Sequence, residues 1–131
     1  MIKTIIIADD SRTARMVTRR CLEIAGFGEA GFLEAPDGEV ALEMARNNDA
    51  DLLVTDLNMP RMDGASLVRA IKSSPRLNHL PVMVISSMSS QAREDELIKL
   101  GAFAVLSKPV NPANVMEALE KLSESLTMGE K

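Results

Sequence analysis

The chain has 131 residues, a formal net charge of −4, 46% hydrophobic and 26% charged residues, and one cysteine, Cys21. That length fits one globular domain able to stand without a metal or disulfide staple, and a lone cysteine forms no internal disulfide. The acidic balance argues against nucleic-acid binding, no apolar run is long enough to span a membrane, and Phe27, Phe32 and Phe103 are too few to make a stacking platform for a flavin or a base.

Met1-Ile2-Lys3-Thr4 carries no signal-peptide pattern, so a cytoplasmic protein is expected. Lys3 to Ala8 is β-branched and almost continuously apolar, the mark of a strand buried on both faces. Ala14, Val17, Cys21 and Ile24 then recur at helix spacing, and Gly26 closes that helix. Gly31 to Ala35 is a second short strand, and Asp37-Gly38 opens a helix carrying Ala41, Met44 and Ala45. Asp51 to Thr55 reads as a third strand ending at Asp56. A loop from Met59 to Gly64 follows, then a helix with Leu67, Val68 and Ile71 that stops at Pro75. Pro81 to Ser86 is a fourth strand, with proline at its first residue, where a strand tolerates it. Residues 90 to 100 form a helix stopped by Gly101, and Phe103 to Ser107 is a fifth strand. Asn111-Pro112 is an N-cap followed by proline at the first helical position, and Val115, Leu119, Leu122 and Leu126 line one face of the last helix.

Successive strand–helix units predict an α/β fold, a doubly wound five-stranded parallel sheet with five helices on its two faces. In such sheets ligands bind beyond the carboxyl ends of the strands, where strand order reverses. The first strand ends in Asp9-Asp10, the third in Asp56 with Asn58 beyond, the fourth in Ser86-Ser87, and the fifth runs into Lys108-Pro109. Neighbouring carboxylates repel one another, and a divalent cation relieves the repulsion. Oxygen-only ligands at a partly hydrated site suit Mg²⁺. Asp56 could then attack phosphorus as a carboxylate nucleophile, with Mg²⁺ and Lys108 offsetting phosphoryl charge and Ser86 offering a hydroxyl donor.

These residues carry a resemblance. Asp9-Asp10-Ser11, Thr55-Asp56-Leu57-Asn58-Met59-Pro60, Met62-Asp63-Gly64, Ser86 and Lys108-Pro109 resemble the motifs of the receiver domain of two-component response regulators, of the stand-alone CheY-like kind. The resemblance implies a flavodoxin-like sheet of order 2-1-3-4-5, for which CheY is itself the type example. It implies that Asp56 accepts the phosphoryl group. Asp10 and the backbone carbonyl of Asn58 would bind Mg²⁺ with it, Asp9 would act mainly through water, and Ser86 and Lys108 would read the phosphoryl group. It runs from about Lys3 to Leu126 and implies residues 1–126 as the receiver domain, with 127–131 as a C-terminal tail. The chain departs from the family where an aromatic residue usually stands three places before the lysine, for here that residue is Val105. Phe103 lies on the same strand face as Val105 by period-two alternation.

Taken singly, these residues have plainer readings. An aspartate after a strand is most often a helix N-cap, and Asp63 keeps that reading. Cys21 on the apolar stripe is a buried inert thiol. Arg12, Arg15 and Arg19 share a helix face that reads as solvated, with kinase docking as the alternative. An aspartate-nucleophile phosphatase would need a second acid two residues on, where this chain has Asn58 after Asp56 and Ser11 after Asp9. Nucleotide-binding glycine motifs are absent from the sequence.

The expectation is a monomeric phospho-acceptor rather than a turnover enzyme. It takes a phosphoryl group from a sensor histidine kinase, hydrolyses it slowly in its own pocket, and signals through protein contacts on the face of helix four, strand five and helix five. Chemotaxis is one pathway that fits, and no contact with nucleic acid or membrane is expected. The alternative is a degenerate receiver acting as a phosphorylation-independent binding module.

Overall fold

The computed structural model describes residues 2–87 and 90–129, with side chains described as far as residue 122. The strands are β1 (Thr4–Ala8), β2 (Gly31–Ala35), β3 (Leu52–Asp56), β4 (Val82–Ser86) and β5 (Ala104–Ser107). The helices are α1 (Arg12–Leu22), α2 (Gly38–Asn47), α3 (Gly64–Ser73), α4 (Gln91–Leu100) and α5 (Pro112–Gly129). All strands are parallel, in the order β2-β1-β3-β4-β5.

Every residue of β3 and β4 is buried, as a run that lies between two helical layers requires. Successive side chains alternate between two cores. Ile6, Leu53 and Val84 pack with Ala41, Leu67, Ile71 and Leu97 of α2, α3 and α4. Ile5, Ile7, Val54 and Met83 pack with Cys21 and Leu22 of α1 and Val115, Ala118 and Leu119 of α5. Each helix starts on a polar cap: Ser11, Asp37, Asp63, Ser90 and Asn111 accept the backbone N–H three residues on, at 2.8–3.2 Å. Each such cap satisfies an amide that the helix leaves unpaired, and replacing one by alanine typically costs about 1 kcal/mol.

Three sequence expectations need correction. The stripe Ala14, Val17, Cys21 and Ile24 is not the buried face of α1. Thr18, Cys21 and Leu22 are buried, while Val17 and Ile24 are 46% and 54% exposed. Ile24 lies seven residues after Val17, on the same exposed flank, and the π-helical turn Glu23–Phe27 that follows Leu22 is kinked at Gly26, φ +117°. Second, Phe103 and Val105 do not share a core. Phe103 lies before β5 and packs into the α1/α5 layer, whereas Val105 packs into the other. Alternation holds only within a strand, and Phe103 is outside it. Third, Arg15 does not share the solvated character of Arg12; its side chain is 14% exposed and ion-paired. α5 runs to Gly129, so residues 127–129 of the expected tail are helical, and the side chain of Leu126 lies outside the described residues.

Cys21 is buried as expected, and burial pushes its thiol pKa up, away from the reactive thiolate.

Candidate functional site

The carboxyl ends of β1 and β3 meet at the rim of the sheet because these strands are neighbours, with Ala8 opposite Thr55. Asp9 follows β1 directly and is held from both sides. Its N–H donates to the Ala35 carbonyl at 3.0 Å, and its Oδ1 accepts the Ser11 N–H at 2.9 Å. Asp10 is the next residue and is exposed. Asp56 is the last residue of β3 and is buried, opposite Ile85 of β4.

The chain after Asp56 must turn tightly so that α3 can pack back on the sheet. A Cβ at Gly64 would collide with the Asp56 carbonyl oxygen and come within 2.9 Å of Leu57 Cα, so only glycine allows this approach. The Gly64 N–H closes the turn on the Leu57 carbonyl at 2.7 Å. Within this loop Arg61 adopts a left-handed backbone, φ +67°, and its Nη1 pairs with Oδ2 of buried Asp37 at 3.1 Å. The Met62 carbonyl also accepts the Gly38 N–H at 3.1 Å, so the loop is fastened to the start of α2.

Lys108 arrives from the far side. Its backbone N–H donates to the Ser86 carbonyl at 2.9 Å, and a cis peptide joins it to Pro109. Its Nζ stands 3.3 Å from Asp56 Oδ1 and 3.4 Å from Asp9 Oδ2. Burial pushes the Asp56 pKa up and the Asp9 charge adds to this, with Lys108 opposing both. Burial alone would lower the Lys108 pKa, but Asp56 and Asp9 outweigh it and hold the ammonium above its usual value.

The structure therefore brings together Asp9, Asp10, Asp56 and Lys108. Ser86 is fully buried at the end of β4, beside β3, and Asn58 is exposed two residues beyond Asp56, so both belong to the same rim. Asp9, Asp10 and Asp56 each offer a carboxylate oxygen within 4.8 Å of the others. Three hard oxygen donors around one point, with a single ammonium among them, fit a divalent cation.

Sequence reasoning missed the residues that hold these loops. Arg15 grips the Asp9 carbonyl at 2.6 Å and Glu34 at 2.9 Å, and Arg61 pairs with Asp37. These partners are distant in sequence. No sequence signal marked them: Arg15 lies three and seven residues before Thr18 and Leu22, whose burial only the structure shows.

A doubly wound parallel sheet with an acid cluster and a lysine on its carboxyl rim defines a class of α/β domains whose rim is built to hold a cation beside a buried aspartate. The match to known proteins is narrower: the chain fits the family described as response regulator receiver domain over residues 5–120, and it belongs to that family. It is 36% identical over 122 residues to "Chemotaxis protein CheY-3" of Vibrio cholerae, covering 93% of this chain and 92% of that protein. It is also 36% identical over 120 residues to "Chemotaxis protein CheY" of Pseudomonas aeruginosa, covering 92% and 95%. The REC domain of AraT, a response regulator from Geobacillus stearothermophilus, superposes with a TM-score of 0.80 at 32% identity, covering 100% of both chains. The chain is thus a CheY-like response regulator receiver.

Proposed function

We propose that Asp56 takes a phosphoryl group from the phosphohistidine of a sensor histidine kinase and that the resulting aspartyl phosphate switches the protein's contacts. The observation that supports this most is the position of Lys108 Nζ, 3.3 Å from Asp56 Oδ1 on the edge of a three-carboxylate cluster. A carboxylate oxygen of Asp56 attacks phosphorus, the P–N bond to the donor imidazole breaks, and that nitrogen keeps the bonding pair. Lys108, already within reach of Asp56, balances charge on the transferring oxygens. Ser86, buried at the end of β4, would donate its hydroxyl to one of them. Asp10, Asp56 and the Asn58 carbonyl, with Asp9 beside them, would hold Mg²⁺, which supplies further charge neutralisation when bound. The same pocket hydrolyses the acyl phosphate slowly, so the protein is a phospho-acceptor rather than a turnover enzyme.

The reading extends to residues 1–126 as the responding unit, acting as a monomer in the cytoplasm, where kinases form phosphohistidine from ATP. Among the described residues no helix is long and apolar enough to cross a membrane. Output through α4, β5 and α5 is supported by the open groove that Ile98, Val105, Leu106, Asn114 and Lys121 line there. The names of the relatives suggest chemotaxis as the pathway. The test is transfer from a phosphorylated histidine kinase, followed as label moving to this chain. Transfer that requires Asp56 and a divalent cation supports the reading, and kinase that keeps its label in the presence of this chain contradicts it.

A further inference from the structure

Arg15 is one of four arginines on α1 and one of the three, with Arg12 and Arg19, that share a face of it by spacing, and nothing in the proposed chemistry uses it. Its position is unlike that of a surface arginine. The side chain is 14% exposed, Nη1 donates to the Asp9 carbonyl oxygen at 2.6 Å, and Nε donates to Glu34 Oε1 at 2.9 Å. Glu34 sits on the edge strand β2, opposite Ile7 of β1, and so has a fixed place relative to Asp9. Arg19 reaches the other Glu34 oxygen at 3.9 Å and lies over the Phe32 ring at 4.8 Å, which confines Glu34 further.

The peptide linking Asp9 to Asp10 is planar, so a grip on the Asp9 carbonyl oxygen also fixes the N and Cα of Asp10. The Asp9 N–H is already held by Ala35 and its Oδ1 by the Ser11 N–H. Asp10, by contrast, is exposed, and its direction depends on the backbone that carries it. We propose that Arg15, anchored by Glu34, is a positioning residue that aims the Asp10 carboxylate at the cation site shared with Asp9 and Asp56. The inference rests on the reading of that cluster as a Mg²⁺ site. A guanidinium suits the task because its planar fork donates in two directions at once, to a carbonyl and to a carboxylate.

The test is a Mg²⁺ titration of the full chain, read from backbone amide shifts, for the parent, Arg15→Ala, Arg15→Lys and Glu34→Gln. Parent saturation establishes the site, and failure of the parent to bind would refute the site reading itself. With the parent binding, Arg15→Ala should weaken Mg²⁺ affinity about tenfold, the scale on which removing the partner of a metal ligand acts. Glu34→Gln keeps an acceptor but loses the charge and should weaken it less. Arg15→Lys has one nitrogen in place of the fork and should fall between parent and alanine. Metal-free melting temperatures of the same proteins separate positioning from plain stability. Variants that melt lower but keep parental Mg²⁺ affinity would overturn the proposal. If Arg15→Ala does not fold, the Lys and Gln variants decide by the same comparison, and parental affinity in both overturns it.

Discussion

Asp56 combines burial with a like charge, Asp9, close by, and Lys108 compensates only in part. Its pKa is raised in the folded protein, so the native state holds this proton more tightly than the unfolded chain does. Stability then falls as pH rises from the ordinary carboxylate range through the raised value, and the full cost is present above that value. Asp56→Asn removes that cost. The metal-free variant should melt above the metal-free parent at neutral pH, and the gap should close in acid; circular dichroism melts across pH check this, and a variant melting below the parent at neutral pH would contradict it. Asp63 shows the opposite sign. The Ser66 N–H holds its carboxyl below the usual range, so its contribution is present above the ordinary carboxylate pKa and is lost as pH falls through the lowered value. Asp63→Ala should therefore cost about 1 kcal/mol at neutral pH and less in acid, measured by urea unfolding.

At the scale of elements, Val105 stands on β5, half-buried against the α2–α4 layer. A β-branched valine has one restricted torsion and little reach, so it cannot swing between buried and exposed positions as a ring can. A ligand shifts a conformational equilibrium only through differential interaction with the two states. With Ser86 ending β4 and Ser90 capping α4, the connection between them is where a phosphoryl contact would be passed on. Amide shifts on adding beryllofluoride should be large from Ser86 to Gln91 and small around Val105, a span that includes residues 88 and 89 outside the described structure. Val105→Ala should cost about 1 kcal/mol and leave the phosphorylation rate near that of the parent. Large shifts centred on Val105 with a quiet Ser86 to Gln91 segment would contradict this. The elements themselves were legible because each carries a local cause. β3 and β4 are short apolar runs, and the helices begin at polar caps. The face of α1 was not legible, because apolar residues sit on both sides of it: Met16 and Val17 are exposed while polar Thr18 is buried. Val17 and Ile24, seven residues apart, repeat at helix spacing as the sequence suggests but on the exposed flank. Asp9, Asp10, Asp56 and Lys108 could be read from sequence because strand ends converge in this topology. The contact of Arg15 with Glu34 and Asp9 could not, because it depends on how α1 rolls against β2.

For the whole molecule, the acid cluster ties the metal to folding. On the proposed reading Mg²⁺ would bind the folded site and not the unfolded chain, where the carboxylates are dispersed, so it should raise the melting temperature in proportion to the logarithm of its concentration above the dissociation constant. Asp10→Ala should remove most of that gain. It also relieves like-charge repulsion with Asp9 and Asp56, so without metal it should melt at or above the parent. Calorimetry or circular dichroism suits the measurement, since the chain has no Trp or Tyr to report by fluorescence. A Mg²⁺-induced rise unchanged by Asp10→Ala would count against the site.

The central claim is that Asp56 accepts the phosphoryl group with help from a divalent cation, and intact-protein mass spectrometry after incubation with acetyl phosphate tests it most directly. The account predicts a mass gain of one phosphoryl group in the parent with Mg²⁺, none with a chelator, and none in Asp56→Asn under either condition. Labelling of Asp56→Asn at the parental rate would contradict the assignment of the nucleophile. A parent that gains no mass with Mg²⁺ present would contradict the phosphorylation reading as a whole and leave a phosphorylation-independent binding module in its place.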